Sequence, residues 1–180
     1  VGAKVFAACA SGAFELVGDL LNLAVFNGPL NPGETKKWRS LEHSIFSYAN
    51  PQVGVEEPET YRRNYGLALW KAGYDGAMNY AYQHNFGDIY VDDDHETFRD
   101  HVFAYPTVDG VIDTIQWEGF REGVDDVRYL TTLLKVIKDS TGDKENLAKK
   151  AREWVEAIDT DDDLQMIRGE MVKWILQLSQ

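Results

Sequence analysis

Four short apolar runs punctuate the first half of the chain, and what lies between them is helical in character. The runs AKVFAA (3–8), LNLAVFNG (21–28), HSIFSYAN (43–50) and GAMNYAYQ (76–83) have strand length and the near-continuous apolar content of strands buried on both faces. Ser11–Gly18 reads as a brief helix. Pro32–Leu41 reads as a second, with Asn31 as N-cap and proline at the first helical position. The third, EPETYRRNYGLALWKAGY (57–74), carries Tyr61, Tyr65, Leu69 and Ala72 at helical spacing and ends at Gly73. Strand and helix in strict alternation predict a parallel α/β structure.

After Gln83 the pattern changes. HNFGDIYVDDDHETFRD (84–100) is polar and aromatic without a period and reads as a long loop. HVFAYPTVDGVIDT (101–114) predicts a short hairpin turning at Asp109-Gly110. Three helices are expected behind it, at about Thr114–Lys138, Lys144–Ile158 and Asp162–Leu178. This divides the chain into an α/β part, 1–113, and a C-terminal helical part, 114–180, which is expected to cap it.

Charge narrows the functions open to the chain. Thirty acidic against 18 basic residues give a net charge of −12, which repels a duplex or any other polyphosphate, so no nucleic-acid partner is expected. No apolar run approaches the length of a membrane span, and no membrane partner is expected. Cys9 is the one cysteine, which excludes an internal disulfide and a thiolate zinc site. The opening VGAKVFAACA reads as a strand already inside a fold, so a C-terminal portion of a longer protein is expected.

The densest charge lies in YPTVDGVIDTIQWEGFREGVDDVRYL (105–130). Trp117, Phe120, Val124, Val127, Leu130, Leu134 and Ile137 follow spacings of three and four, which defines one apolar helix stripe. Glu118–Arg121 and Asp125–Arg128 are three apart and Arg121–Asp125 four, so ion pairs along the helix side are available, each worth about 0.3–0.5 kcal/mol when exposed. The spacing therefore predicts a structural helix whose charges face water.

The same segment resembles the C-terminal signature of glycoside hydrolase family 123, the β-N-acetylgalactosaminidases and their uncharacterised relatives. The matching positions are Tyr105-Pro106-Thr107, Thr114-Ile115-Gln116, Arg121-Glu122-Gly123, Asp126 and Tyr129-Leu130, with Arg62 or Arg63 and Gly76 upstream. The resemblance covers about Lys4 to Leu134. It departs at Tyr80, where the family has a Trp, and at Gln116, where it has an Arg. It implies a (β/α)8 TIM-type barrel, of which this chain supplies strands five to eight followed by a short hairpin and C-terminal helices. The N-terminal half of the same barrel is then the expected partner. It also favours a secreted or periplasmic location and a hydrolase of carbohydrate, with an N-acetylhexosaminide as substrate. A non-catalytic carbohydrate-binding or structural barrel module is the alternative.

Barrels of this kind gather their site at the C-terminal ends of the strands. That rule selects Asn27, Tyr48, Asn50, Tyr80, Tyr82, Gln83 and His84 as substrate-binding candidates, because a sugar needs aromatic faces for its ring and amides or hydroxyls for its edges. The resemblance implies substrate-assisted hydrolysis by an adjacent Asp-Glu pair on the fourth strand. No Asp-Glu dipeptide occurs in the chain, so the pair is expected upstream. Glu56 and Glu57, past the third apolar run, are the weaker local candidates, and acidic residues ahead of a helix also have a structural use at its positive end. DDDHE (92–96) lacks EF-hand spacing and its glycine, so a solvated loop is expected there. No metal and no cofactor are expected.

Overall fold

The computed structural model describes residues 3–180. The chain divides into two compact units, Val1–Gly123 and Val124–Gln180. In the first, β1 (Phe6–Cys9), α1 (Ala13–Val17), β2 (Leu23–Asn27), α2 (Pro32–Arg39), β3 (Ser44–Tyr48), α3 (Pro58–Asn64), α4 (Leu67–Lys71) and β4 (Gly76–Ala77) alternate as expected. The four strands form one parallel sheet in the order β1-β2-β3-β4. Phe6 lies opposite Leu23, Leu23 opposite Ser44, and Phe46 opposite Gly76.

The sheet's two faces have different fates. Side chains alternate along a strand, so Cys9, Ala24, Phe26, Ile45 and Ser47 share one face. All are buried, the apolar ones in a core with Trp38, Tyr61, Tyr65 and Leu69 from the helices. The other face carries Phe6, Ala8, Leu23, Val25, Phe46 and Tyr48, and Phe6 is 60% exposed there. One face of the sheet is therefore covered by helices and the opposite one is apolar and partly open.

Local signals explain most boundaries. The Asn31 side chain accepts hydrogen bonds from the amides of Gly33 (2.9 Å) and Glu34 (3.3 Å), capping α2. Gly73, at φ +79°, turns the chain out of α4, a conformation that favours glycine. Two expectations need correction. The predicted long helix 57–74 is two helices, because the chain leaves helical geometry at Tyr65-Gly66, and Gly66 sits where a Cβ would lie 2.3 Å from the Arg62 carbonyl. The fourth run yields a strand of only two residues: beyond Ala77 the Asn79 side chain takes the amides of Ala49 (3.0 Å) and Tyr80 (3.1 Å), replacing a strand ladder with side-chain bonds.

Beyond the sheet, β5 (Gln83–His84) and β6 (His101–Val102) form a short antiparallel ribbon that closes the base of the loop 85–100. The expected hairpin is formed by β7 (Ala104–Pro106) and β8 (Val111–Asp113), with the Thr107 amide on the Gly110 carbonyl. Three helices follow: α5 (Ile115–Asp139), α6 (Glu145–Ala157) and α7 (Leu164–Ser179). In the second unit Leu130, Leu133 and Ile137 of α5 are buried, as are Ala151, Val155, Ile167 and Met171 of α6 and α7.

The most buried stripe of α5 is not the apolar one read from sequence. It runs Gln116, Gly119, Gly123, Asp126, Leu130, Leu133, Ile137, while Val124 is exposed. In the first unit, a Cβ on Gly119 would lie 2.1 Å from the Pro58 carbonyl, and one on Gly123 2.7 Å from that of Arg62. α3 crosses α5 with backbone nearly against backbone. The charges of α5 also divide. Arg121 pairs with Glu118 (2.7 Å) and Glu122 (3.1 Å) at the surface, whereas Asp126, fully buried, meets the Arg168 guanidinium at 2.5 Å.

Candidate functional site

At the C-terminal end of the sheet, Asn27 of β2 and Tyr48 of β3 lie side by side in register. Tyr48 and Tyr80 line a shallow cleft of about 250 Å3 on the open face, with Phe6, Ala8, Val25, Met78 and Asn79. The cleft thus offers two phenol rings, aliphatic walls and one amide, which suits the apolar face and the polar edge of a sugar.

The chain after β3 is held rigidly beside it. The Tyr65 hydroxyl accepts from the Asn50 amide and donates to the Pro51 carbonyl, both at 2.6 Å. The Tyr61 hydroxyl donates to the Gln52 carbonyl at 2.7 Å. Burial pushes the Tyr61 phenol up to about 12 and raises that of Tyr65 further, so both remain neutral donors across the physiological range. Asn79 donates to the Pro51 carbonyl (3.1 Å), and the Gln52 side chain reaches the Tyr80 carbonyl (2.5 Å).

The remaining expected residues scatter. Asn50 is buried, with its carbonyl oxygen near Asn64 (3.5 Å) on α3 and not in the cleft. Tyr80 and Tyr82 do not share a strand face, because β4 ends before them. The Tyr80 ring lies against His84 (5.2 Å) and His101 (5.8 Å), while Tyr82 stands edge-on to Trp117 (6.0 Å). The Gln83 amide donates to the Ala104 carbonyl (2.8 Å), which is a structural use. Gln116 is likewise buried and donates to the Val102 carbonyl at 2.8 Å. His84 belongs to a chain of rings that includes Phe86 and His101. The His101 Nδ1 lies 2.7 Å from the Val53 carbonyl, and since a carbonyl only accepts, that nitrogen carries the proton.

Neither local glutamate is placed as a paired acid and base. Glu57 stands at the start of α3 and accepts from the Thr60 hydroxyl (2.9 Å), while Glu56 lies 3.6 Å from the Arg99 guanidinium. No group of three or more metal-ligating side chains suited to an ion occurs among the described residues. Sequence reasoning passed over Asn79, which the strand-end rule would have selected had β4 been ended at Ala77. It passed over Arg99 as well, and read Asp92 only as part of a solvated loop and Tyr105 only as part of the signature, because long loop intervals separate them from Glu56.

In fold, the chain is similar to part of a glycoside hydrolase. The solved structure in question is a family 123 glycoside hydrolase from Clostridium perfringens, studied for glycolipid glycan hydrolysis. It matches with a TM-score of 0.62 and 10% identity over 98% of this chain and 36% of its own. The chain thus spans about a third of that enzyme's length, and at this identity the likeness is one of fold. No family model matches the sequence. No curated protein matches it either.

Proposed function

We propose that this chain is the C-terminal half of a (β/α)8 glycoside hydrolase of the family 123 type, acting on an N-acetylhexosaminide. The observation that carries the reading is the sheet. Four parallel strands are covered by helices on one face and carry an exposed Phe6 with half-buried Phe46 and Tyr48 on the other, which is what half of a barrel presents toward its own interior. An N-terminal half would supply the remaining strands and, on the fourth, the Asp-Glu pair. In this reading Tyr48 and Tyr80 bear the sugar ring, with Asn79 and Asn27 at its edges. A secreted or periplasmic location follows from the same reading.

The engaged state of Glu56 and Glu57 favours a second reading, a carbohydrate-binding module without hydrolysis. One experiment separates them: the intact polypeptide is assayed on aryl N-acetylhexosaminides and plain aryl glycosides, with sugar titration alongside. Turnover of an N-acetylhexosaminide supports the enzyme. Binding without turnover supports the module, and neither would sink both.

A further inference from the structure

The helical unit Val124–Gln180 carries a groove of about 500 Å3 between α6 and α7. Trp154 of α6 and Met166 and Ile167 of α7 supply its apolar lining, and Asp162, Asp163 and Glu170 its polar lining. Met166 is 71% exposed and Trp154 is half-buried. Tryptophan and methionine are enriched at the centres of protein–protein contacts, where their large apolar area is buried by the partner.

Charge around the groove is segregated along the chain. The lining holds three carboxylates and no cation. Lys150 stands four residues before Trp154, on the same flank of α6, with Arg152 between them in sequence. Both cations are exposed, and neither has an ionic partner among the described residues. Past Trp154 the chain runs into Asp159, Asp161, Asp162 and Asp163, so this strip is basic before the ring and acidic after it. The remainder of the unit does not swamp the pattern. Residues 124–180 hold nine basic against twelve acidic side chains, a net −3 out of the chain's −12, so two such units meet with little overall repulsion.

A strip that is positive at one end, aromatic in the middle and negative at the other is complementary to itself turned end for end. We infer that α6 and the start of α7 form the contact of a two-fold homodimer. Trp154 and Met166 of the two copies pack together, and Lys150 of each copy faces Asp162 of the other. Lys150 precedes Trp154 by about 6 Å of helix, and Asp162 lines the same groove as that ring, so a reversed copy brings the cation of one to the carboxylate of the other. A basic segment of a different protein would answer the carboxylates and leave Lys150 unpaired. A second copy answers both, which is the self-complementarity an isologous contact requires. A contact built on one short strip belongs to the small, weak and reversible class.

The test is sedimentation velocity of the intact polypeptide over a dilution series reaching high micromolar concentration, which should show a reversible monomer–dimer equilibrium. Lys150→Glu or Asp162→Lys turns two attractive pairs per dimer into two repulsive ones, and each should weaken association by roughly tenfold or more. Mixing the two variants should restore the dimer, because every facing pair in the mixed species is again of opposite sign. Thermal melts show that each variant is folded, and should Asp162→Lys melt early, the exposed Lys150→Glu still decides the matter alone. A monomer throughout the series, a dimer indifferent to Lys150→Glu, or two folded variants that fail to rescue each other would overturn the inference.

Discussion

Substituting alanine for Gly119 tests whether the α3–α5 crossing is as close as the structure places it. On an ordinary exposed helix this change stabilises by up to about 1 kcal/mol, because alanine is the better helix former. Here the added methyl would lie 2.1 Å from the Pro58 carbonyl oxygen and 2.6 Å from its Cα, both backbone atoms that cannot rotate away. Relief requires moving the two helices apart by roughly 1 Å, and overpacking of this kind costs about 1–3 kcal/mol, occasionally more. The Phe120 ring of α5 lies 5.1 Å from that of Tyr65 and 5.4 Å from that of Phe103, so separation also loosens aromatic packing. Gly119→Ala should therefore destabilise by roughly 1–3 kcal/mol net. Gly169, on α7, has nothing within 4 Å of a built Cβ and is the internal control, so Gly169→Ala should stabilise by up to about 1 kcal/mol. Urea midpoints of both variants against the parent decide the matter. A Gly119→Ala midpoint at or above the parent's would refute the close crossing.

Three further outcomes are expected. Asp126→Ala removes a fully buried carboxylate that meets the Arg168 guanidinium at 2.5 Å and should cost about 3–5 kcal/mol by denaturant titration, with the Asp126→Leu/Arg168→Met pair recovering most of it. The raised phenols of Tyr61 and Tyr65 give stability that is fully present below the unfolded value near 10 and declines above it, so ultraviolet titration with parallel melts should show loss beginning near pH 10 and continuing to about 12 for Tyr61. Tyr80→Ala should weaken sugar binding with little change in melting, whereas Gln83→Ala should leave affinity unchanged and cost about 0.5–1.5 kcal/mol, because its amide supports the Ala104 carbonyl.

The α/β alternation was readable in the sequence because parallel strands buried by helices are apolar nearly throughout, as LAVFN in β2 is. The fourth strand was overdrawn for the converse reason. Met78, Tyr80 and Tyr82 have strand-like composition, yet Asn79 takes two backbone amides that a strand would need for its ladder. The face of α5 was misplaced by the habit of seeking large apolar residues. Where two helices approach most closely the interface consists of Gly119 and Gly123, which a periodicity reading counts as blanks. Tyr48 followed from a strand end, whereas Tyr80 was selected at the end of a run whose strand stops at Ala77. The Glu56–Arg99 pair was not legible, since only the fold brings those two residues together.

The ribbon of β5 and β6 has a consequence for how a molecule of this design can diversify. It pairs Gln83 with Val102 and His84 with His101, so the loop between them leaves and rejoins the body at one fixed pair of points. Residues 93–97 can then be replaced, lengthened or shortened while Tyr90 and Asp92 keep their bonds to the Pro106 carbonyl and to Arg99 and the Asp100 amide. The loop is therefore a cassette. Descendants of one ancestral scaffold could exchange it to meet different ligands while inheriting the same framework unchanged.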